Sequence, residues 1–311
     1  MSLRRLMGAG TVAVAALLAA APAEAKYISV QFGTDSQDEG NWSQDAIKMD
    51  AALKQWGNWK AAAQGGTMLI VNKDSTISGA LTTLNTTPSA AGDFVLFMYS
   101  GHGGKYTNSV EGAPALDAPD ERLSTYKNVG GWTRERDDSV ANAFAGLNAD
   151  AIKLGIFSAC YAGGMWGEPG LDLNRVKKTA MYGSSGETQS TALDDPFIAA
   201  LISSMSDKSA DLNKDHKVTV QEWFNRANGL VKEANPTFFY SNTATKDDSG
   251  SPPSDFYAQP VYFPYDSPYG DNSFNDTVVA YDAPAPVTLL LICAGLIAWR
   301  MARLANRPCR R

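Results

Sequence analysis

Five short runs of β-forming residues, separated by stretches with helical periodicity, limit what this chain can become. The runs cover residues 27–32, 68–71, 94–99, 152–157 and, more weakly, 180–182. Each is apolar along its length rather than alternating, as expected of strands buried on both faces of a parallel sheet. Between the first two, Met49, Leu53 and Trp56 repeat at i, i+4, i+7, the spacing of a helix that covers a sheet face. Further helices are predicted over 76–84, 139–147 and 195–205. Alternating strands and helices joined by right-handed crossovers make an α/β fold, a three-layer sandwich with a mostly parallel central sheet.

The two ends read differently. Arg4 and Arg5 precede an apolar stretch and then Ala23-Glu24-Ala25, the charged, apolar, small-x-small order of a signal peptide over residues 1–25. Ala283-Pro284-Ala285-Pro286 precedes an apolar run from Val287 to Trp299, followed by Arg300, Arg303, Arg307, Arg310 and Arg311. About 20 apolar residues are needed to cross a bilayer upright, and roughly 13 stand here before the first arginine. Residues 284–311 therefore read as a short anchor or a processed sorting tail. This order resembles the PEP-CTERM sorting signals of exported bacterial proteins, with Ala285 where glutamate is usual. The resemblance implies dealings with export and sorting machinery, transient membrane association, and a place in the periplasm, envelope or extracellular matrix.

Removing both ends takes away seven arginines and one glutamate, which leaves a net charge of about −12. Nucleic acid is excluded as a natural partner, and the surface suits a solvated exported protein or one that gathers divalent cations. Of the three cysteines, Cys293 and Cys309 lie in the tail, so Cys160 is the single thiol of the processed chain. It cannot form an internal disulfide, and is either a small buried hydrophobe or a reactive group.

The third apolar run ends in Tyr99-Ser100-Gly101-His102-Gly103-Gly104, and the fourth in Phe157-Ser158-Ala159-Cys160-Tyr161-Ala162-Gly163-Gly164. The carboxyl ends of strands in an open α/β sheet form the crevice where ligands bind, so an imidazole and the thiol are expected at one rim. Imidazole is the side chain tuned to take a thiol proton near neutrality. Glycines flanking His102 and following Cys160 permit close approach of backbone, with the amides of Gly103 and Cys160 available to hold an oxyanion.

Tyr-Ser-Gly-His-Gly followed about 58 residues later by Ser-Ala-Cys-Tyr-Ala-Gly-Gly resembles the caspase, metacaspase and legumain clan of cysteine peptidases. Similarity extends over about 26–200, including Pro119-Asp120-Glu121-Arg122-Leu123 and Arg136-Asp137-Asp138, which are similar to acidic stretches between the two motifs in metacaspases. The resemblance implies a caspase-like sandwich, a protein or peptide substrate, and a His102–Cys160 dyad that hydrolyses peptide bonds. It places Ser158, two residues before the cysteine, in the specificity pocket, where metacaspases carry Asp, legumains Glu and caspases Gln. Gly183-Ser184-Ser185-Gly186-Glu187 resembles the segment that completes that pocket. Some relatives mature by cutting themselves after the cysteine strand, and Arg175, Lys177 and Lys178 stand in such a segment.

Residues 211–222, Asp-Leu-Asn-Lys-Asp-His-Lys-Val-Thr-Val-Gln-Glu, follow a twelve-position calcium loop. Asp211, Asn213, Asp215, the Lys217 carbonyl, Thr219 and Glu222 supply oxygens at the positions a Ca2+ ion needs. The pattern resembles an EF-hand or dockerin loop, with His216 where glycine is preferred for its left-handed turn. Helices predicted before and after it, the latter over 220–232, complete the motif.

The domain expectation is a peptidase domain over 26–240, with an irregular excursion over 105–138, and a flexible or extended stalk over 241–283, of which the aromatic, proline-rich part over 255–283 either packs as an extended arm or serves as the stalk. Gly183-Ser184-Ser185-Gly186 fails as a serine nucleophile elbow because Glu187 stands where glycine is required. Phosphate-loop, His-Glu-x-x-His and Cys-x-x-Cys motifs are absent. The rival from another class is a catalytically inert, calcium-binding surface protein.

Overall fold

The computed structural model describes residues 25–33, 35–36, 40–59, 67–70, 76–105, 121–127, 131–166, 173–186, 191, 195–234, 261–263 and 275–281. The expected sorting tail and all but the last residue of the expected signal peptide lie outside them.

The strands in chain order are β1 (Tyr27–Gly33), a two-residue pair β2 (Asp35–Ser36) and β3 (Gly40–Asn41), β4 (Thr67–Ile70), β5 (Phe94–Ser100), β6 (His102–Lys105), β7 (Glu121–Lys127), β8 (Gly131–Arg136), β9 (Ile152–Ser158), β10 (Thr179–Gly183), β11 (Lys217–Thr219), β12 (Val261–Phe263) and β13 (Val278–Tyr281). The helices are α1 (Trp42–Leu53), α2 (Ile77–Thr86), α3 (Asp137–Ala145), α4 (Pro196–Ser206) and α5 (Val220–Ala234). The central sheet has the order β12-β10-β9-β5-β1-β4. Its first five strands in chain order are parallel, and β12 closes one edge antiparallel to β10.

Alternate residues of β5 enter two different cores, because successive side chains of a strand point to opposite faces. Phe94, Leu96 and Met98 join Leu53 of α1, Leu201 of α4 and Trp223 of α5. Val95, Phe97 and Tyr99 join Leu84 of α2 and Phe144 of α3. Helices therefore cover both faces, which is the three-layer α/β sandwich expected from the apolar runs. Deeply buried indoles keep their N–H groups satisfied, as an apolar interior requires. Trp56 donates to the Met205 carbonyl at 3.1 Å and Trp223 to that of Leu201 at 3.1 Å.

Two expectations need correction. The excursion over 105–138 contains β7 and β8, which pair antiparallel with β6 in a small second sheet. Neither the Glu-Arg-Leu-Ser-Thr-Tyr-Lys of β7 nor the Gly-Trp-Thr-Arg-Glu-Arg of β8 carries an apolar run to announce a strand. The segment read as a stalk contributes β12 to the main sheet and β13 to a pair with β11. Val279 and Ala280 are fully buried, and the Val279 carbonyl accepts from Asn58 Nδ2 at 2.8 Å and Trp59 Nε1 at 3.0 Å. The described residues 261–263 and 275–281 thus pack with the main domain.

Candidate active site

The strand order reverses direction between β1 and β5, a topological switch point at which open α/β sheets bind ligands beyond their carboxyl ends. β5 and β9 finish in register there, Ser100 opposite Ser158. Gly101 extends the ladder by donating its N–H to the Ser158 carbonyl at 3.0 Å. The chain then enters β6 with His102. The buried Tyr99 hydroxyl lies 2.8 Å from the carbonyl oxygens of both His102 and Ser124, pinning the histidine's backbone to β7. Burial holds the Tyr99 phenol well above its ordinary range, so it remains a neutral donor.

The His102 ring stands between two indoles. Trp42 meets it edge to face at 4.6 Å between centroids and 74°, and Trp132 at 4.9 Å and 73°. Trp42 opens α1 and is buried, whereas Trp132 on β8 is 43% exposed. Both indoles therefore pack against the imidazole.

Cys160 occupies the turn after β9. Its neighbour Tyr161 takes the left-handed conformation, φ 60°, which reverses the chain into a short 3-10 turn over Ala162–Met165. Ser184 and Ser185 hold this turn. Ala159 N–H donates to Ser184 Oγ at 3.2 Å, Ser185 Oγ donates to the Ala159 carbonyl at 2.9 Å, and Ala162 N–H donates to Ser185 Oγ at 3.1 Å. The thiol is half-buried, and Thr191 N–H donates to its sulfur at 3.4 Å. The sulfur also lies 3.8 Å from the Thr191 carbonyl oxygen, within reach of the thiol as a weak donor.

The two motifs meet in space. A Cβ added at Gly103 would lie 1.9 Å from the Cys160 carbonyl oxygen and 2.9 Å from its nitrogen. Only glycine permits this approach, so the residue after the histidine and the cysteine share one backbone contact. The contact brings the backbones of the histidine and cysteine motifs together at the strand ends.

A pair of carboxylates borders the same strand ends. Ser100 Oγ donates to Asp45 Oδ2 at 2.7 Å, and Ser158 Oγ donates to Asp195 Oδ2 at 2.5 Å. Asp195 also N-caps α4, accepting from Phe197 N–H at 2.9 Å. Burial pushes the Asp195 carboxyl up to about 6, against hydrogen bonds from Ser158, Phe197 and Ser184, and Asp45 adds to the rise by like-charge repulsion. Ser158, Ser184 and Ser185 are thus brought together, with Ser185 committed to the cysteine turn. Neither aspartate was singled out from the sequence. Asp195-Pro196 carries the local signature of a helix start and nothing that connects it to Ser158, 37 residues away.

Glu121 and Asp137, from the two acidic stretches, are structural neighbours. Glu121 N–H donates to Asp137 Oδ2 at 3.3 Å, and the buried Glu121 carboxylate lies 3.2 Å from Lys105 Nζ.

The expected calcium loop runs from the end of α4 into α5. His216 adopts the left-handed conformation, φ 66°, that glycine supplies in such loops. Asp211 accepts from Asp215 N–H at 3.1 Å and His216 N–H at 3.0 Å, and Asn213 from Asp215 N–H at 2.9 Å. Glu222 turns to the helix start in a capping box, accepting from Thr219 N–H at 3.0 Å while Thr219 Oγ1 accepts from Glu222 N–H at 3.2 Å. Lys217 begins β11. The oxygen-rich donor set and the turn at His216 fit a hard cation. Among the described residues no three His, Cys, Asp or Glu side chains converge as a ready-made metal cluster.

An open three-layer α/β sandwich with a thiol and an imidazole at its switch-point rim is the class that fold and site define. No family model matches the sequence, and no curated protein matches it. The fold is similar to that in the crystal structure of protein GSU0716 from Geobacter sulfurreducens, at TM-score 0.54 and 14% identity, covering 84% of this chain and 100% of that one. At that identity the likeness concerns the fold.

Proposed function

We propose that the chain is an exported cysteine endopeptidase on a caspase-like fold, with His102 and Cys160 as its catalytic pair. The observation that carries this reading is the contact of Gly103 with Cys160, which joins two motifs 57 residues apart at one strand-end crevice. His102 takes the proton of the Cys160 thiol, and the thiolate sulfur attacks the carbonyl carbon of the scissile peptide. The Gly103 and Cys160 N–H groups hold the resulting oxyanion. The intermediate collapses as the C–N bond breaks, and His102 returns the proton to the leaving amine. A water then hydrolyses the thioester, with His102 again as base, and frees Cys160.

Export follows from the signal peptide and sorting tail read in the sequence. Calcium, held by Asp211, Asn213, Asp215, Lys217, Thr219 and Glu222, would tie α4 to α5 and so brace the helix that Asp195 caps. Self-processing would use the connection between β9 and β10, where Arg175 and Lys177 are exposed.

The test is labelling of purified residues 26–283 with iodoacetamide and peptidyl acyloxymethyl ketones, wild type against His102→Ala. Labelling of Cys160 that requires His102 supports the dyad. Slow labelling indifferent to His102 overturns it in favour of an inert calcium-binding surface protein.

A further inference from the structure

β9 holds one charged residue in its apolar run, Lys153, and that residue is 1% exposed. Leu154 and Ile156 enter the core shared with α1, α4 and α5, so by alternation Lys153 lies on the opposite face with Phe157, where α2 and α3 pack. Its ammonium donates to the carbonyls of Ala151 at 2.9 Å and Lys177 at 2.8 Å, and its main-chain N–H donates to that of Lys178 at 2.8 Å. Lys178, left-handed at φ 54°, turns the chain between the latter two carbonyls.

Bracing the β9–β10 connection does not account for the rest of this place. The two carbonyls take two of the three ammonium protons. Among the described residues no carboxylate forms an ion pair with Lys153, since Asp150 stands 2.7 Å from Lys177 Nζ and 3.9 Å from Lys178 Nζ. Burial, then Lys178 and Lys177, hold the Lys153 amine down to about 8, against the pull of Asp150. Beside it opens a cavity of about 220 Å³. Phe144, Leu147 and Val176 give the cavity a buried apolar wall, and Lys153, Arg175 and Lys177 line it as cations, with no acid among its described lining residues. In a processed chain of net charge about −12, that is a local reversal of sign. A buried ammonium is costly without a counter-charge, and an anion placed against it offsets that cost.

We infer that this cavity is a binding site for a small organic monoanion, a carboxylate on an apolar body, with the carboxylate held by Lys153 and Arg175 and the body laid against Phe144, Leu147 and Val176. A guanidinium fork matches the two oxygens of a carboxylate, and the third ammonium proton of Lys153 is the second donor. Pockets for drug-sized ligands run to roughly 300–1,000 Å³, so this smaller one suits a body of about one ring or a short aliphatic chain. Lys153 stands at the start of β9 and Cys160 just past its end, roughly 20 Å apart at about 3.3 Å per residue. The site is thus separate from the crevice, and its test does not depend on the peptidase reading.

The test titrates the purified protein by calorimetry with benzoate and with benzyl alcohol, which keeps the ring and lacks the charge. Benzoate is expected to bind at one site, and benzyl alcohol roughly 10- to 100-fold more weakly, the range for hydrogen bonds to a charged group. Lys153→Met is expected to weaken benzoate by the same factor. That variant also removes a buried brace, so Arg175→Gln, at an exposed position, supplies a second one, expected to weaken benzoate about two- to fivefold. Inorganic phosphate, which has charge and no apolar body, is expected not to displace benzoate at equal concentration. Equal binding of benzyl alcohol and benzoate overturns the anion site, and displacement by equal phosphate overturns the apolar body. Absence of benzoate binding up to about 10 mM, or binding unchanged in Arg175→Gln, overturns the inference outright.

Discussion

Gly103 and Cys160 touch through their backbones, with the position of a would-be Gly103 Cβ 1.9 Å from the cysteine's carbonyl oxygen. Gly103→Ala must therefore push the histidine strand away from the cysteine turn. Overpacking of this kind costs about 1–3 kcal/mol. We expect a matching loss in urea denaturation and a larger loss, at least about tenfold, in the rate of His102-dependent Cys160 labelling, since small misplacements at a reacting centre are costly. Native labelling rates in Gly103→Ala would show that the contact does not set the site.

Asp195 links stability to pH. Its carboxyl stands near 6 in the folded chain against 3.8 as the ordinary value, so between those limits the folded state binds more protons than the unfolded one. Stability contributed by the neutral acid is present below about pH 4 and is lost as pH rises through 6. At ~1.4 kcal/mol per unit the loss is on the order of 3 kcal/mol. Asp195→Asn should gain on wild type across pH 4 to 6 and hold a constant difference above it, as read from urea midpoints in a pH series. A parallel course of the two proteins would contradict the assignment.

His216 sits in the left-handed region at φ 66°. Glycine removes the Cβ clash, worth about 1–2 kcal/mol, and returns part of it through unfolded-chain entropy. His216→Gly is expected to stabilise by roughly 0.5–1 kcal/mol. It should also enlarge any rise in thermal midpoint that calcium produces, while Asp211→Ala abolishes that rise. Thermal scans with calcium or chelator check both, and a midpoint indifferent to calcium in wild type would discard the cation.

The C-terminal boundary can be tested by truncation. A chain ending at 260 loses β12 and β13, leaving Asn58 and the buried Trp59 indole without the Val279 carbonyl. Unsatisfied buried donors cost about 1–3 kcal/mol each, beyond the lost apolar burial. We expect 26–283 to give a cooperative thermal transition, and 26–260 to melt far lower or to aggregate. Equal midpoints would restore the stalk reading.

The parallel sheet, its helices, and the placement of His102 and Cys160 at strand ends were legible because each rests on local pattern. Apolar runs such as Phe94 to Tyr99 announce doubly buried strands, and the tandem glycines about His102 and Cys160 mark backbone that must come close. The left-handed turn at His216 likewise follows from its position in a twelve-residue pattern. Tertiary structure decided what joins residues distant in sequence. It set Asp195 against Ser158 and Asp45 against Ser100, stood Trp42 and Trp132 on either side of His102, and returned β13 to the indole of Trp59, 220 residues earlier. No periodicity encodes those meetings, since a side chain's partner across a sheet depends on strand order and register, which the whole core settles together.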